Sequence, residues 1–369
     1  PQHDEAEISV FGPGYGESIL VHLGLNEWIV IDSCVDPKFD LPPPINYLKT
    51  IGINPADAVK LVIATHWHDD HVRGLSSVFQ ECQSARFVCS VALRSDEFLE
   101  LISALGIRPM MTSSGVDEFH KTITILSERS NFGRPESRGP QWAFENCVLL
   151  RRDGSEIPYE IHSLSPSSAA VTLAHVEIGS LLPTFKKRKK RVVAQRPNRV
   201  AVVLWISIGE VKLLLGSDLE ETSDHGTGWS VIVDSTARPP GKASVFKVPH
   251  HGSETAHQPG VWSEMVEDAP FAVLTPFNQG NIHLPTKSDT ERICNLTSKA
   301  YSTARLRQRS KRRAGIVEKM IKETVRRIQV VSGPTGHVRL RRKALGSDNE
   351  WGVELFGEAL DLSQTLKAM

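Results

Sequence analysis

The chain has 369 residues, 40% of them hydrophobic, with 43 basic and 43 acidic side chains and no formal net charge. That length can bury a large core, the balanced charge excludes global attraction to polyanions, and no apolar run reaches the roughly 18 to 20 residues that span a bilayer. Five scattered cysteines, Cys34, Cys82, Cys89, Cys147 and Cys294, never spaced as CxxC, argue against a disulfide framework and a thiolate zinc site.

The opening "PQHDEAEISVFGPG" has no basic stretch followed by an apolar one, so a soluble cytoplasmic protein without membrane contact is expected. From residue 7, alternating apolar runs broken by Gly-Pro-Gly and Gly-Leu-Asn-Glu predict an edge hairpin feeding a buried strand, "WIVID". After prolines 42 to 44, "INYLKTIGI" reads as a helix, and "AVKLVIAT" as a strand covered on both faces. A helix "HVRGLSSVFQEC", a strand "ARFVCSV" and a helix "SDEFLELISAL" capped by Ser95 or Asp96 follow. "FGRPESRGPQW" reads as a surface connection.

A second round contains "YEIHSLSPSSAAV", a helix from about 167 to 180, a basic loop, the hairpin "RVAVVLWISIGEVKLLLGSD" and the strand and loop "ASVFKVPHHGS". It ends with "FAVLTPFN", a helix from Thr286 to about 297, "RRIQVVS" and the hairpin "HVRLRR…WGVELFG". Two β-rich, helix-covered halves predict an α/β protein, a four-layer αββα sandwich in one domain. Its lobes would span about 7–150 and 151–345, followed by a C-terminal hairpin extension.

Where the strand "VIAT" stops, "HWHDDH" places His66, His68, Asp70 and His71 within six positions. Neutral imidazole and carboxylate are ligands for zinc, manganese or iron, and a binuclear site needs two such sets about 3.5 to 4 Å apart. Further ligands should lie at other strand ends on the same rim. Asp218, ending "VKLLLGSD", and the pair His250 and His251, after "ASVFKVP", answer that description.

Here the sequence resembles a family. The run H-W-H-D-D-H fits the HxHxDH signature of the metallo-β-lactamase fold, with "WIVID" and "LLLGSD" as its matching strands. "FGPGYGESILVHLG", "LLLGSDLE" and "KVPHHGS" resemble stand-alone relatives of the hydrolase domain in bacterial DNA-uptake competence channels, over roughly residues 7 to 290.

The resemblance implies two divalent ions, zinc or manganese. His66 and His68 would bind the first; Asp70, His71 and one of His250 or His251 the second; Asp218 would bridge. His250, nearest the strand end, is favoured as ligand, with His251 as neighbour or proton donor. Asp32 would support the ligand loop from behind through hydrogen bonds. Many members carry one more histidine before the strand that leads to the bridging aspartate. Here "RPNRVAVVL" offers Asn198 or Arg199, which weakens the first site. His162 and His175 read as structural, His283 as a loop histidine or else a substrate-pocket or additional ligand residue, and His257 as a further candidate for substrate or ligand.

Hydrolysis by a metal-activated water is the expected reaction, with Asp70 orienting the nucleophile and His251 or His257 protonating the leaving group. Lys186, Lys187, Arg188, Lys189, Lys190 and Arg191, with "RLRQRSKRR" further on, point to a DNA phosphodiester as substrate. A low-specificity nuclease needs restraint, so a regulatory protein partner in a DNA-uptake or antiviral-defence setting is expected from the function class alone. The competing readings are a hydrolase of lactones, thioesters or small phosphodiesters, and a non-catalytic module that binds nucleic acid or a partner.

Overall fold

A computed structural model describes residues 1–36, 41–94, 114–131, 139–186, 197–306, 315–324, 335–346 and 350–364. Strands β1 (Glu5–Gly12), β2 (Ser18–His22) and β3 (Trp28–Ile31) form an antiparallel meander. From β3 the chain continues in parallel through β4 (Val59–Ala64), β5 (Arg86–Ser90) and β6 (Gln141–Ala143). Helices α1 (Pro43–Thr50), α2 (Pro55–Ala58), α3 (Asp69–Val72), α4 (Leu75–Glu81) and α5 (Ser114–Asn131) lie in the crossovers.

The second half begins with β7 (Cys147–Arg152) and β8 (Tyr159–Ser163), then α6 (Ser168–Lys186), β9 (Leu204–Ile208) and β10 (Val211–Leu215). Helix α7 (Trp229–Asp234), β11 (Ala243–Lys247), β12 (Val266–Leu274), β13 (Phe277–Gln279), β14 (Ile282–Leu284), α8 (Lys287–Leu296) and β15 (Ala300–Ser302) follow. The chain closes with α9 (Gly315–Thr324), β16 (Gly336–Lys343), β17 (Gly352–Phe356) and β18 (Leu360–Asp361).

The strands make two eight-stranded sheets, ordered β17-β16-β1-β2-β3-β4-β5-β6 and β18-β15-β12-β11-β10-β9-β8-β7. Between them lies an apolar layer that includes Ile8, Val10, Ile31, Ile63, Ile161, Leu204, Leu213 and Val245. Outside the first sheet, Val62 and Phe87 pack with Ile45, Leu48, Phe79 and Phe119 of the helices. Outside the second, Trp205 and Phe246 pack with Trp229, Ile232 and Ile293. The layer order is therefore helix, sheet, sheet, helix, as the alternating pattern predicts.

Several expectations change. The first hairpin is not at an edge, because β16 pairs along the whole of β1 and covers it. The expected helix over 71–82 is two helices: Gly74 between them sits at φ +82°, where a Cβ would stand 2.9 Å from Val35 Cγ1. Helix α5 and strands β6 and β7 were not foreseen, since α5 is rich in polar residues, β6 has only three residues and the burial of β7 is broken. The helix expected from Thr286 to about 297 is α8, with Thr286 as its cap in a reciprocal pair with Asp289. The helix expected from Ser95 or Asp96 and the stretch "RRIQVVS" lie outside the described residues. Among the described residues, no helix is long and apolar enough to cross a membrane.

Candidate metal centre

Four strand ends build the site. β3 delivers Asp32, β4 the loop from Thr65 into α3, β10 the turn holding Asp218, and β11 the turn holding His251. Each pair, β3 with β4 and β10 with β11, is parallel, so carboxyl ends of strands from both sheets meet on one rim.

Asp32, Ser217, His250 and His251 all have positive φ, at 56°, 46°, 46° and 55°. Left-handed backbone at a residue with a Cβ costs about 1 to 3 kcal/mol and persists only where the surroundings impose it. Four such residues on one rim turn their side chains where an ordinary loop would not.

Three sets of side chains hold potential ligand atoms within 4.8 Å of one another: Asp70, His71, Asp218 and His251; His66, His68 and Asp218; and Asp32, His66 and His71. Asp218 belongs to the first two sets. His251 Nε2 lies 3.1 Å from Asp70 Oδ2 and 3.3 Å from Asp218 Oδ2, and His71 Nε2 lies 3.3 Å from Asp218 Oδ2. All but His68 are buried.

The imidazoles are aimed from behind. Asp32 accepts from Thr65 N (2.8 Å), Thr65 Oγ1 (2.7 Å) and His71 Nδ1 (2.7 Å). With its hydroxyl proton given to Asp32, Thr65 Oγ1 accepts from His66 Nδ1 at 2.9 Å. His251 Nδ1 donates to the Thr275 carbonyl at 2.8 Å. In all three rings Nδ1 therefore carries a proton and Nε2 points inward, as a free lone pair in His66 and, in His71 and His251, as the position that gives up its proton when an ion binds. His66 Nε2, His71 Nε2 and Asp218 Oδ1 are buried without a hydrogen-bond partner. Unpartnered buried polar atoms of this kind are costly unless a cation takes them up, so the donor set fits divalent ions.

Charge tells the same story. Burial and the neighbouring His71 and His68 push the His66 imidazole well below its ordinary value, so it is neutral and able to ligate. Burial also opposes charge on His71, yet Asp218, Asp70, Asp32 and Glu17 outweigh it and hold that ring well above its usual range. His251 is likewise pushed up to about 10, against burial, by Asp218 and Asp70. Burial works against ionisation of Asp218, but His251 and His71 keep its carboxyl well below the usual range. The cluster thus demands positive charge, which protons provide when no ion does.

The expected ligand pair is reversed. His251, not His250, joins Asp70, His71 and Asp218, because the left-handed turn after β11 swings the second ring inward. His250 instead meets Thr255 Oγ1 at 2.9 Å and Glu220 Oε1 at 3.1 Å on the outer side. His251, expected as neighbour or proton donor, is placed with its Nε2 against Asp70 and Asp218.

Asp69 Oδ1 accepts from Gly115 N at 2.7 Å and ties the ligand loop to α5. His283 pairs with Asn278 Oδ1 at 3.2 Å, and His257 lines a small cavity with Trp229, Phe246 and Arg292; neither joins the three sets. His162 pairs with Glu160, while His175 lies on α6. Asn198 is buried with Oδ1 unpartnered, and Arg199 turns to Asp224 at 2.6 Å. Lys186 ends α6, and Lys187, Arg188, Lys189, Lys190 and Arg191 lie outside the described residues.

Sequence reasoning missed Thr65, Thr275, Glu17 and Lys247. Lys247 is the one residue with a readable signal, a lysine inside the apolar strand "ASVFKV". Tyr15 faces the site beside Phe277, ring centroids 5.4 Å apart, and Phe277 lies 5.2 Å from the His251 ring.

Residues 11–120 match the family model of the Metallo-beta-lactamase superfamily. That segment carries the H-W-H-D-D-H run, and with the layer order above it gives the chain the metallo-β-lactamase fold. No curated protein matches. Among solved structures, the chain is similar to the metallo-beta-lactamase fold protein YhfI from Bacillus subtilis, at 12% identity over 82% of this chain and 97% of that one, TM-score 0.39. It is also similar to AbOPH, a hydrolase in the beta lactamase superfamily (12%, 59% and 72%, TM-score 0.34). A third is AidC, a dizinc quorum-quenching lactonase (13%, 55% and 55%, TM-score 0.29).

Proposed function

We propose that this chain is a metal-dependent hydrolase that cuts DNA phosphodiesters with little sequence preference. The observation that carries hydrolysis is the set of buried imidazoles whose Nε2 lone pairs converge with Asp70 and Asp218. His66, His68 and Asp218 would hold one ion, and Asp70, His71, His251 and Asp218 the other. Zinc or manganese at such residues supplies Lewis acidity and lowers the pKa of coordinated water toward about 7.

The chain's own groups would do the rest. Tyr15, pushed up to about 12 by burial and then by Asp70 and Asp69, stays protonated and can donate to a phosphoryl oxygen. Tyr15 and Phe277 form an aromatic wall beside His251 on which a base or sugar can rest. His250, on the outer side and held by Glu220, is the group for delivering a proton to the leaving oxygen.

Support for DNA comes from residues 186–191, six consecutive cations, and from the resemblance of "FGPGYGES" and "KVPHHGS" to DNA-uptake hydrolases. A regulatory partner remains part of this proposal for the same reason of restraint.

The test is cleavage of single- and double-stranded DNA by zinc- or manganese-loaded protein beside an Asp70→Ala control. Cleavage lost in the control supports the reading. Turnover of a lactone or thioester with intact DNA refutes the nuclease, and DNA binding without turnover, unchanged by Asp70→Ala, favours the binding module.

A further inference from the structure

Glu17 and Lys247 are both fully buried, and Lys247 Nζ lies 2.5 Å from Glu17 Oε2. Removing two charges from water is costly, and well-packed apolar side chains of similar volume hold strands together as well or better. A buried pair at the end of an apolar strand therefore calls for a task that methyl groups cannot perform. We infer that the Glu17–Lys247 pair is a positioning device that holds the separate ligand-bearing segments at ion-binding distance.

The contacts reach the segments that carry Asp70, Asp218 and His251. Glu17 N donates to the Asp70 carbonyl at 2.9 Å, which fixes the start of α3. Lys247 Nζ lies 3.4 Å from the Ser217 carbonyl, at the left-handed residue that turns Asp218 inward. Thr275 Oγ1 donates to Glu17 Oε2 at 2.5 Å, and the Thr275 carbonyl accepts from His251 Nδ1. Glu17 Oε1 stands 4.0 Å from His71 Nδ1.

Residues 17, 70, 217, 247 and 275 come from both sheets, so the pair spans the gap that the ions themselves would have to close. Gly16 makes the approach feasible: at φ +104° its missing Cβ would stand 2.8 Å from Cys34 Cβ and 3.2 Å from the Asp70 carbonyl.

This inference rests on the reading of the cluster as an ion site, and the experiment separates the two. Metal-free parent, Lys247→Met, Glu17→Gln/Lys247→Met and Glu17→Asp proteins are compared by thermal unfolding and by zinc titration against a chromophoric chelator. Lys247→Met alone strands a buried carboxylate and should unfold early; the double variant, with neither charge, should recover much of that loss. It should nevertheless bind zinc 10- to 100-fold more weakly than the parent, the usual cost of removing groups that orient ligands. Glu17→Asp keeps both charges, shortens the reach and should weaken zinc in the same direction without unfolding the chain. Parent-like zinc affinity in either the folded double variant or Glu17→Asp overturns the positioning role. A parent that binds no zinc overturns the ion site itself.

Discussion

Asp32→Asn is the most discriminating single change, because one carboxylate fixes two imidazoles. Asp32 Oδ2 accepts both Thr65 Oγ1 and His71 Nδ1, each at 2.7 Å, and Thr65 Oγ1 in turn accepts from His66 Nδ1 at 2.9 Å. Asparagine has the same shape but one donor end. If its amide nitrogen takes the place of Oδ2, both hydrogen bonds reverse: His71 Nδ1 and, through Thr65, His66 Nδ1 become acceptors. The protons then sit on Nε2, where neither ring can ligate. If the amide flips, its nitrogen faces the Thr65 N–H now bonded at 2.8 Å, an unpaired donor against a donor.

Either arrangement leaves one or two buried polar groups unsatisfied, at about 1 to 3 kcal/mol each. Binding an ion must reverse that choice, so zinc affinity should fall by about 10- to 100-fold per ion, while the chain still folds. Chelator-competition titration gives the affinity, and nitrogen chemical shifts of the imidazoles give the tautomers directly. Parent-like zinc affinity, or unchanged tautomers for His66 and His71, would refute the proposed chain of hydrogen bonds.

Exchanging the two adjacent histidines one at a time should separate their roles: His251→Ala loses an ion per chain by elemental analysis, whereas His250→Ala keeps it and slows turnover. Gly336→Ala should destabilise the fold by about 3 kcal/mol or more, since its Cβ would stand 1.4 Å from the Thr303 carbonyl oxygen, and a melting temperature within 2 °C of the parent would show that the sheets give way more easily. Acid should weaken the fold through His22 and His337, both pushed down to about 3, first by burial and then, for His337, by Arg339 and Arg341. Their folded pKa lies below the unfolded value near 6.5, so their contribution is complete above pH 6.5 and shrinks as pH falls toward 3, by about 2 kcal/mol each at pH 5. A His22→Gln/His337→Gln protein should therefore show less loss in urea midpoint than the parent between pH 7.5 and pH 5; equal losses would contradict the assignment.

Much of the fold was legible because its strands are long apolar runs ending in polar or glycine-rich turns, as "AVKLVIAT" and "VKLLLGSD" do. The site was half legible for the same reason: His66, His68, Asp70 and His71 are close in sequence, and Asp218 closes an apolar run. The choice between His250 and His251 was not, since it turns on left-handed backbone at both residues, which no side-chain pattern announces. Glu17 and Lys247 were hidden by distance, 230 positions apart and brought together only when the two sheets stack. Strand β7 escaped because "CVLLRR" is packed at irregular positions and carries a register shift between Val148 and Leu150.

The central claim is that Asp218 serves two ions at once, with His66 and His68 on one side and Asp70, His71 and His251 on the other. Zinc per chain, counted by elemental analysis after loading and gel filtration, tests it in the parent and in Asp218→Ala. Two ions in the parent, with the variant losing both or retaining one weakly, is the expected result. No zinc in the parent, or two tightly held ions in Asp218→Ala, would contradict it.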